Sequence, residues 1–540
     1  MMVHKNSLCL ILISFFVLAP LVKATTGDVI AQYPAPGSCP TGLTFDGKML
    51  WLADRKSDLL YRIDPDNGAV RRSLEAPGYQ VEGLAMEDEF LWALDVEENV
   101  ILKLNLKTEI IEKTLYVPCD NPNGLAWDGK YLWVADYRQD MLFQISTEDG
   151  TTITQLPSPA GNPHGLCFDG KYLWVSDRID NMIYMVHPEN GNVIVAFASP
   201  SEFPRGLAWD GTSLWNVDYQ TDSLYQLLVH DNVTYSRGEG KKQQLEYTHQ
   251  FRNYGPGRIT SLDIYLAVPH NLPFQQLLDT IRYYPVPTDF VTDRWDQKIA
   301  HYHFDGVPAG GVATVSMQVT AELFKTRFFV FPEKAGELGD IPEDTAAKYL
   351  IDDTKYWVDD PFIRETSQNV VGDEDNCYWI ARKLFNYLID NMHYERVGGW
   401  NVAPTVLKRG SGSCSEYSFV YIALCRAAGL PARYAGSVVI RGDDASTDNV
   451  FHRWVEVFLP NYGWIPVDPS GGDEDSPARQ ASAIGYLTNR FLITTIGGGR
   501  SEYLEWGYNS NEFWQSTGKC KIFVEHIGEW SPLAEPAGSE

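Results

Sequence analysis

Little in this chain points to a membrane, a nucleic acid or a metal. No apolar run after residue 22 approaches the ~20 residues that a bilayer-spanning helix needs. Basic residues are in deficit, 44 Lys and Arg against 71 Asp and Glu, for a formal charge of −27. That charge argues against nucleic acid or an anionic lipid surface as a partner. Cysteine is sparse, eight in 540 residues, with no C-x-x-C pair and no Cys/His cluster, which argues against a structural zinc site. No metal ligand and no cofactor is assigned. The acidic loops RGDDASTDN and GGDEDS read as solvated rather than as calcium sites.

What is present is a long, β-leaning composition. The length suits about three domains, and 13% aromatic residues with 44 Gly and 31 Pro suit β-rich globular structure. Residues 1–24 stand apart: a basic start, the run LCLILISFFVLAPLV and the small residues of Val22-Lys23-Ala24 predict a secretory signal cut after Ala24. Its loss would remove Lys5 and Lys23 and take the charge to −29. The expectation is an exported protein, secreted or periplasmic, with no integral membrane segment after cleavage. Export would also leave seven cysteines, an odd number, so at least one thiol stays unpaired within the chain.

The N-terminal half repeats itself. Gly42, Gly83, Gly124, Gly165 and Gly206 are spaced 41 residues apart, as are Trp51, Trp92, Trp133, Trp174 and Trp215. Each unit carries four short alternating runs separated by turn residues such as Asp46-Gly47 and Asn67-Gly68. Four strands per ~40 residues predicts a β-propeller blade. The segment DVIAQYPAPGSCP matches the end of a unit, so the expectation for 25–235 is a five-bladed propeller closed by its N-terminal strand, with six blades as the alternative. The units resemble the secreted LWVAD propellers related to the streptogramin-lyase group. The repeated Asp54, Asp95, Asp136, Asp177 and Asp218 are expected to tie up backbone donors. The residues before the glycines, Thr41, Glu82, Asn123, His164 and Arg205, vary at a fixed loop position and are the candidates for contact with a substrate or a protein partner.

Residues 236–340 show longer alternating runs that predict an antiparallel β-sandwich. Its histidines, His270, His301 and His303, lack a marked third ligand and read as packed or exposed side chains.

The chemistry concentrates after residue 341. Tyr417, Val420, Tyr421, Leu424 and Ala428 follow helical spacing, with Gly429 and Pro431 as stop signals, which puts Cys414 at the helix start. There, free N–H groups and the helix dipole favour a thiolate and can hold an oxyanion. Downstream, FHRWVEVFLPNYGWIPVDPS reads as a tight hairpin that brings His452 and Asp468 to one edge. GSGSCSEY, HRWVEV and GWIPVDPS, in that order, resemble the three catalytic blocks of the transglutaminase-like superfamily, a papain-type α+β fold, over 341–500. That resemblance implies Cys414 as nucleophile, His452 as base and then acid, and Asp468 as the group that orients the imidazole. Animal cross-linking transglutaminases have Gln before and Trp after this cysteine, where Ser413 and Ser415 stand here. The paired zinc cysteines of peptide N-glycanases, whose Cys-Gly-Glu-Trp is similar to Cys414-Ser-Glu-Tyr, are absent. Trp400, Glu416 and Trp454 are expected beside the acyl site, and 501–540 is read as a C-terminal extension. The expected function is a thiol protease or amidase acting on a protein or peptide substrate, with a protein-glutamine transamidase and a non-catalytic adhesion scaffold as the alternatives.

Overall fold

In the computed structural model, residues 24–396, 400–442 and 445–533 are described. The expected signal segment, apart from Ala24, lies outside these residues, as do Asp443 and Asp444 of one acidic loop. No helix among the described residues is long and apolar enough to cross a membrane.

Residues 29–228 form five four-stranded antiparallel sheets. Their cores rest on the repeated tryptophans, each almost wholly buried. Every indole N–H donates to the acid five residues earlier: Trp51 to Asp46, Trp92 to Glu87, Trp133 to Asp128, Trp174 to Asp169 and Trp215 to Asp210, at 2.7–3.0 Å. The repeated glycines have a steric cause. A Cβ on Gly165 would lie 2.0 Å from the Arg205 carbonyl oxygen, and one on Gly124 2.1 Å from that of His164. On Gly206 it would lie 2.5 Å from the Thr41 oxygen, so the innermost strands of the last and first sheets are neighbours and the ring closes. Val29–Pro34 pairs antiparallel with Ser223–Leu228 and completes the last sheet from its outer edge. The five repeated aspartates each accept backbone N–H bonds; Asp136 takes those of Asn121, Arg138 and Gln139. Asp54, Asp95, Asp177 and Asp218 do the same.

The middle of the chain is a nine-stranded antiparallel sheet. The long strand Ser236–Ala267 pairs with Val312–Arg327 along its first part and with Lys298–Phe304 along its last. Leu245, Tyr247 and Phe251 of the first part and Leu262, Ile264 and Tyr302 of the second share one core. Ser510–Pro532 runs antiparallel beside Ser236–Ala267 through both parts. The region read as a C-terminal extension is therefore largely a strand of this sheet. Residues 513–519 in its first half are all exposed, and the hydrophobic alternation that marks a strand in sequence is confined to Cys520, Ile522, Val524 and Trp530 of the second half. On the same sheet His301 bonds to Asp263 and Asp289, and His303 to Asp263, at 2.8–2.9 Å.

The remaining module packs helices against a four-stranded sheet whose order is Gly463–Val467, His452–Leu459, Ala432–Val439, Phe491–Gly497. The helix Cys414–Ala427 is its centre, with every side chain from Cys414 to Arg426 buried. This module also docks on the propeller. The buried Arg382 guanidinium donates to Val193 O at 3.0 Å and to Asn192 Oδ1 at 3.2 Å. Trp379 meets His187 edge-on at 5.1 Å, and Ala478 and Ala481 enter a propeller core.

Candidate active site

Two elements build the site. The helix Cys414–Ala427 starts with its N-terminus at the edge of the sheet, and the hairpin His452–Leu459/Gly463–Val467 carries His452 at one end and Asp468 just past the other. His452 Nε2 and Asp468 Oδ2 lie 2.6 Å apart. The Cys414 thiol hydrogen-bonds to the His452 ring and to the Arg453 backbone N–H. Asp468 is held by the Ser470 hydroxyl at 2.8 Å and the Gly471 N–H at 2.9 Å, both on Oδ1. Cys, His and Asp thus form one hydrogen-bonded line, with His452 19% and Asp468 20% exposed and Cys414 at 9%.

The electrostatics follow from that line. Burial pushes the Cys414 thiol up, but the hydrogen bond and charge of His452 and the Arg453 N–H outweigh it, and its pKa falls below the usual thiol value. Burial pulls His452 down, yet the charge and hydrogen bond of Asp468, with Cys414, raise it to about 10. Burial also acts against Asp468, and the charge and hydrogen bond of His452 reverse it and hold the carboxyl low. Each of the three shifts favours the charged form: thiolate, imidazolium and carboxylate. By contrast Cys425, wholly buried on the same helix, is pushed far up by desolvation. All seven described cysteines are unpaired thiols.

The three side chains expected beside the site occupy different places. Glu416 is fully buried and faces no open space. Its carboxylate takes Arg409 Nη2 at 2.7 Å and the Asn401 N–H at 2.9 Å, and caps the Ser413 N–H at 3.4 Å. It therefore fixes the helix start and the chain after Trp400 rather than contacting a ligand. Trp454 is buried beneath the histidine, 5.9 Å from its ring and 5.2 Å from Phe491. Trp400 is half-buried and packs on Phe419 and Tyr508, each at 6.3 Å.

Sequence reasoning missed Arg453. Its guanidinium is wholly buried among Trp400, Phe419, Tyr434 and Tyr508, 4.4–5.2 Å from their ring centres, and donates to Trp506 O. The only signal was its place after His452. Asp473, read as a solvated loop acid, accepts from Tyr417 Oη at 2.9 Å and Tyr394 N at 2.8 Å, joining three segments around the cysteine.

On the propeller, Glu82, Asn123, His164 and Arg205 line one cavity of about 310 Å³, together with Arg55 and Tyr137. Glu82 pairs with Arg205 at 3.0 Å and Arg55 at 3.2 Å. Burial, then the nearby Arg205 charge, lowers His164 to about 3, so its imidazole is neutral. Thr41 lines only an adjoining recess; its hydroxyl is spent on Val81 O at 2.7 Å.

Comparison with known proteins bears on the C-terminal module. Residues 364–469 match the family model of the transglutaminase-like superfamily. The uncharacterized protein YebA of Bacillus subtilis (strain 168) is 25% identical over 128 residues, 20% of this chain and 17% of that one, so the chain spans about a sixth of that relative's length. Among solved structures, a protein of Cytophaga hutchinsonii provisionally named a cysteine protease is 14% identical with a TM-score of 0.40, covering 56% of this chain and 94% of that one. Virginiamycin B lyase of Staphylococcus aureus is 21% identical with a TM-score of 0.27, covering 37% and 69%. The superfamily match supports an enzyme of the thiol-dependent kind.

Proposed function

We propose that the chain is an exported thiol acyl-transfer enzyme that opens peptide, isopeptide or glutamine-type amide bonds, with water as the acceptor. The observation that carries this reading is the hydrogen-bonded line from Cys414 through His452 to Asp468 at the start of a buried helix. The Cys414 sulfur attacks the carbonyl carbon, and the free N–H groups of the first helical turn receive the oxyanion. His452 gives its proton to the leaving amine, which departs and leaves a thioester. It then takes a proton from water, which attacks the thioester and releases the acid, restoring the Cys414 thiolate beside a protonated His452. Asp468 keeps the imidazolium oriented throughout. The propeller cavity supplies substrate or partner contacts through Glu82, Asn123, His164 and Arg205.

Water is placed ahead of an amine because Ser415 stands where the cross-linking enzymes have tryptophan, and Ser415 is itself buried in the helix. A glutamine-containing protein, incubated with and without a labelled primary amine, tests this. Free acid should exceed incorporated amine at millimolar amine, and neither should form with Cys414→Ala. Incorporation in excess of hydrolysis would make the activity a transamidation.

A further inference from the structure

The middle sheet holds a cluster far from Cys414 in sequence and in role. His249 and His526 are direct cross-strand partners on Ser236–Ala267 and Ser510–Pro532, with ring centres 4.5 Å apart. Glu512, at the other end of Ser510–Pro532, reaches the same point from the part of the sheet that pairs with Ile264. One donor atom from each of the three lies within 4.8 Å of the others.

We propose that His249, Glu512 and His526 bind one divalent transition-metal ion of the zinc type, which ties the two halves of the sheet together. Buried imidazoles beside a carboxylate ordinarily hydrogen-bond to it. Here the Nε2 atoms of both histidines are buried with no hydrogen-bond partner, and the Glu512 oxygen stands 3.7 Å from His249 Nε2. That spacing is long for a hydrogen bond and near the ~3.3 Å between donors that tetrahedral bonds of ~2.0–2.1 Å require. His249 is wholly buried, and its other nitrogen, Nδ1, lies 3.0 Å from Ser510 Oγ, which lies 2.7 Å from Tyr247 Oη. With Nδ1–H donating to that hydroxyl, the Nε2 lone pair points at the cluster, the outer-sphere arrangement metal-bound histidines use.

Two imidazoles and one carboxylate suit zinc, cobalt or nickel better than calcium or magnesium. The surrounding core of Tyr247, Phe251, Ile264 and Leu266 makes the ion a structural tie.

The test uses the chain carrying Cys414→Ala, so that the reactive thiol cannot ligate. After chelator treatment and desalting, it is titrated with Zn²⁺ by calorimetry and with Co²⁺ by visible absorption. The expected result is one ion per chain, cobalt bands of tetrahedral intensity without thiolate charge transfer, and a thermal midpoint that rises with Zn²⁺. Adding Glu512→Gln or His526→Gln should weaken zinc binding at least tenfold. Absence of a bound ion in the Cys414→Ala chain overturns the proposal, as does an unchanged isotherm with Glu512→Gln. If His526→Gln does not fold, the shape-conserving Glu512→Gln decides alone.

Discussion

Replacing Asp468 by Asn removes one charge from the candidate active site and almost no volume. His452 lies at about 10, some 3.5 pH units above a free imidazole, and after the opposing effect of burial the charge and hydrogen bond of Asp468 are the largest causes. In Asp468→Asn the His452 imidazolium should give way at a lower pH than the value of about 10 in the parent chain, and the Cys414 thiol should move back up. The assay is the rate at which iodoacetamide labels Cys414 in the native protein across pH, read by mass spectrometry. At pH 6 that rate should fall at least tenfold. Stability should change with pH in step. A histidine whose folded pKa is raised stabilises the fold fully below pH 6.5, and loses that effect as pH rises through about 10. The depressed Asp468 carboxyl stabilises above its unfolded pKa and loses its effect in acid. The variant's deficit in thermal midpoint should therefore be largest between about pH 4 and 6.5 and shrink toward pH 10. An unchanged labelling profile would refute the coupling of the three groups.

Three further outcomes follow from the packing. Glu416→Gln breaks a pair in which Glu416 is fully buried and Arg409 is 31% exposed; it should cost about 2–3 kcal/mol in denaturant unfolding and slow Cys414 labelling, because the helix start loses its cap. Gly165→Ala places a Cβ 2.0 Å from a neighbouring strand's carbonyl and should destabilise the propeller by roughly 3 kcal/mol. Gly339→Ala, with nothing within 4 Å, should leave the melting curve unchanged.

The legible features are those where one local cause repeats or where chemistry forces a residue type. The 41-residue spacing follows from a strand contact that admits only glycine and from an indole that needs an acid five residues earlier. Cys414, His452 and Asp468 were legible because a helix start and a tight hairpin fix their places locally. Contacts between distant segments were not. Glu416 read as a side chain beside the site because its partner Arg409 lies on a separate short helix. The strand Ser510–Pro532 read as an extension because residues 513–519 are all exposed, and only its second half, with Cys520, Ile522, Val524 and Trp530, alternates toward the core. His249, Glu512 and His526 belong to no motif; register alone brings them together. The propeller read as self-contained, whereas Arg382 and Trp379, unremarkable within their helix, fasten it to the C-terminal module.

The central claim is that a carbonyl group passes through a thioester on Cys414. The direct measurement is to react the chain with an activated acyl ester, quench in acid and locate the added mass by peptide mapping. The account predicts one acyl group on the peptide containing Cys414, removed by hydroxylamine and absent in Cys414→Ala. An acyl group on a different residue, or turnover that continues in Cys414→Ala, would contradict it.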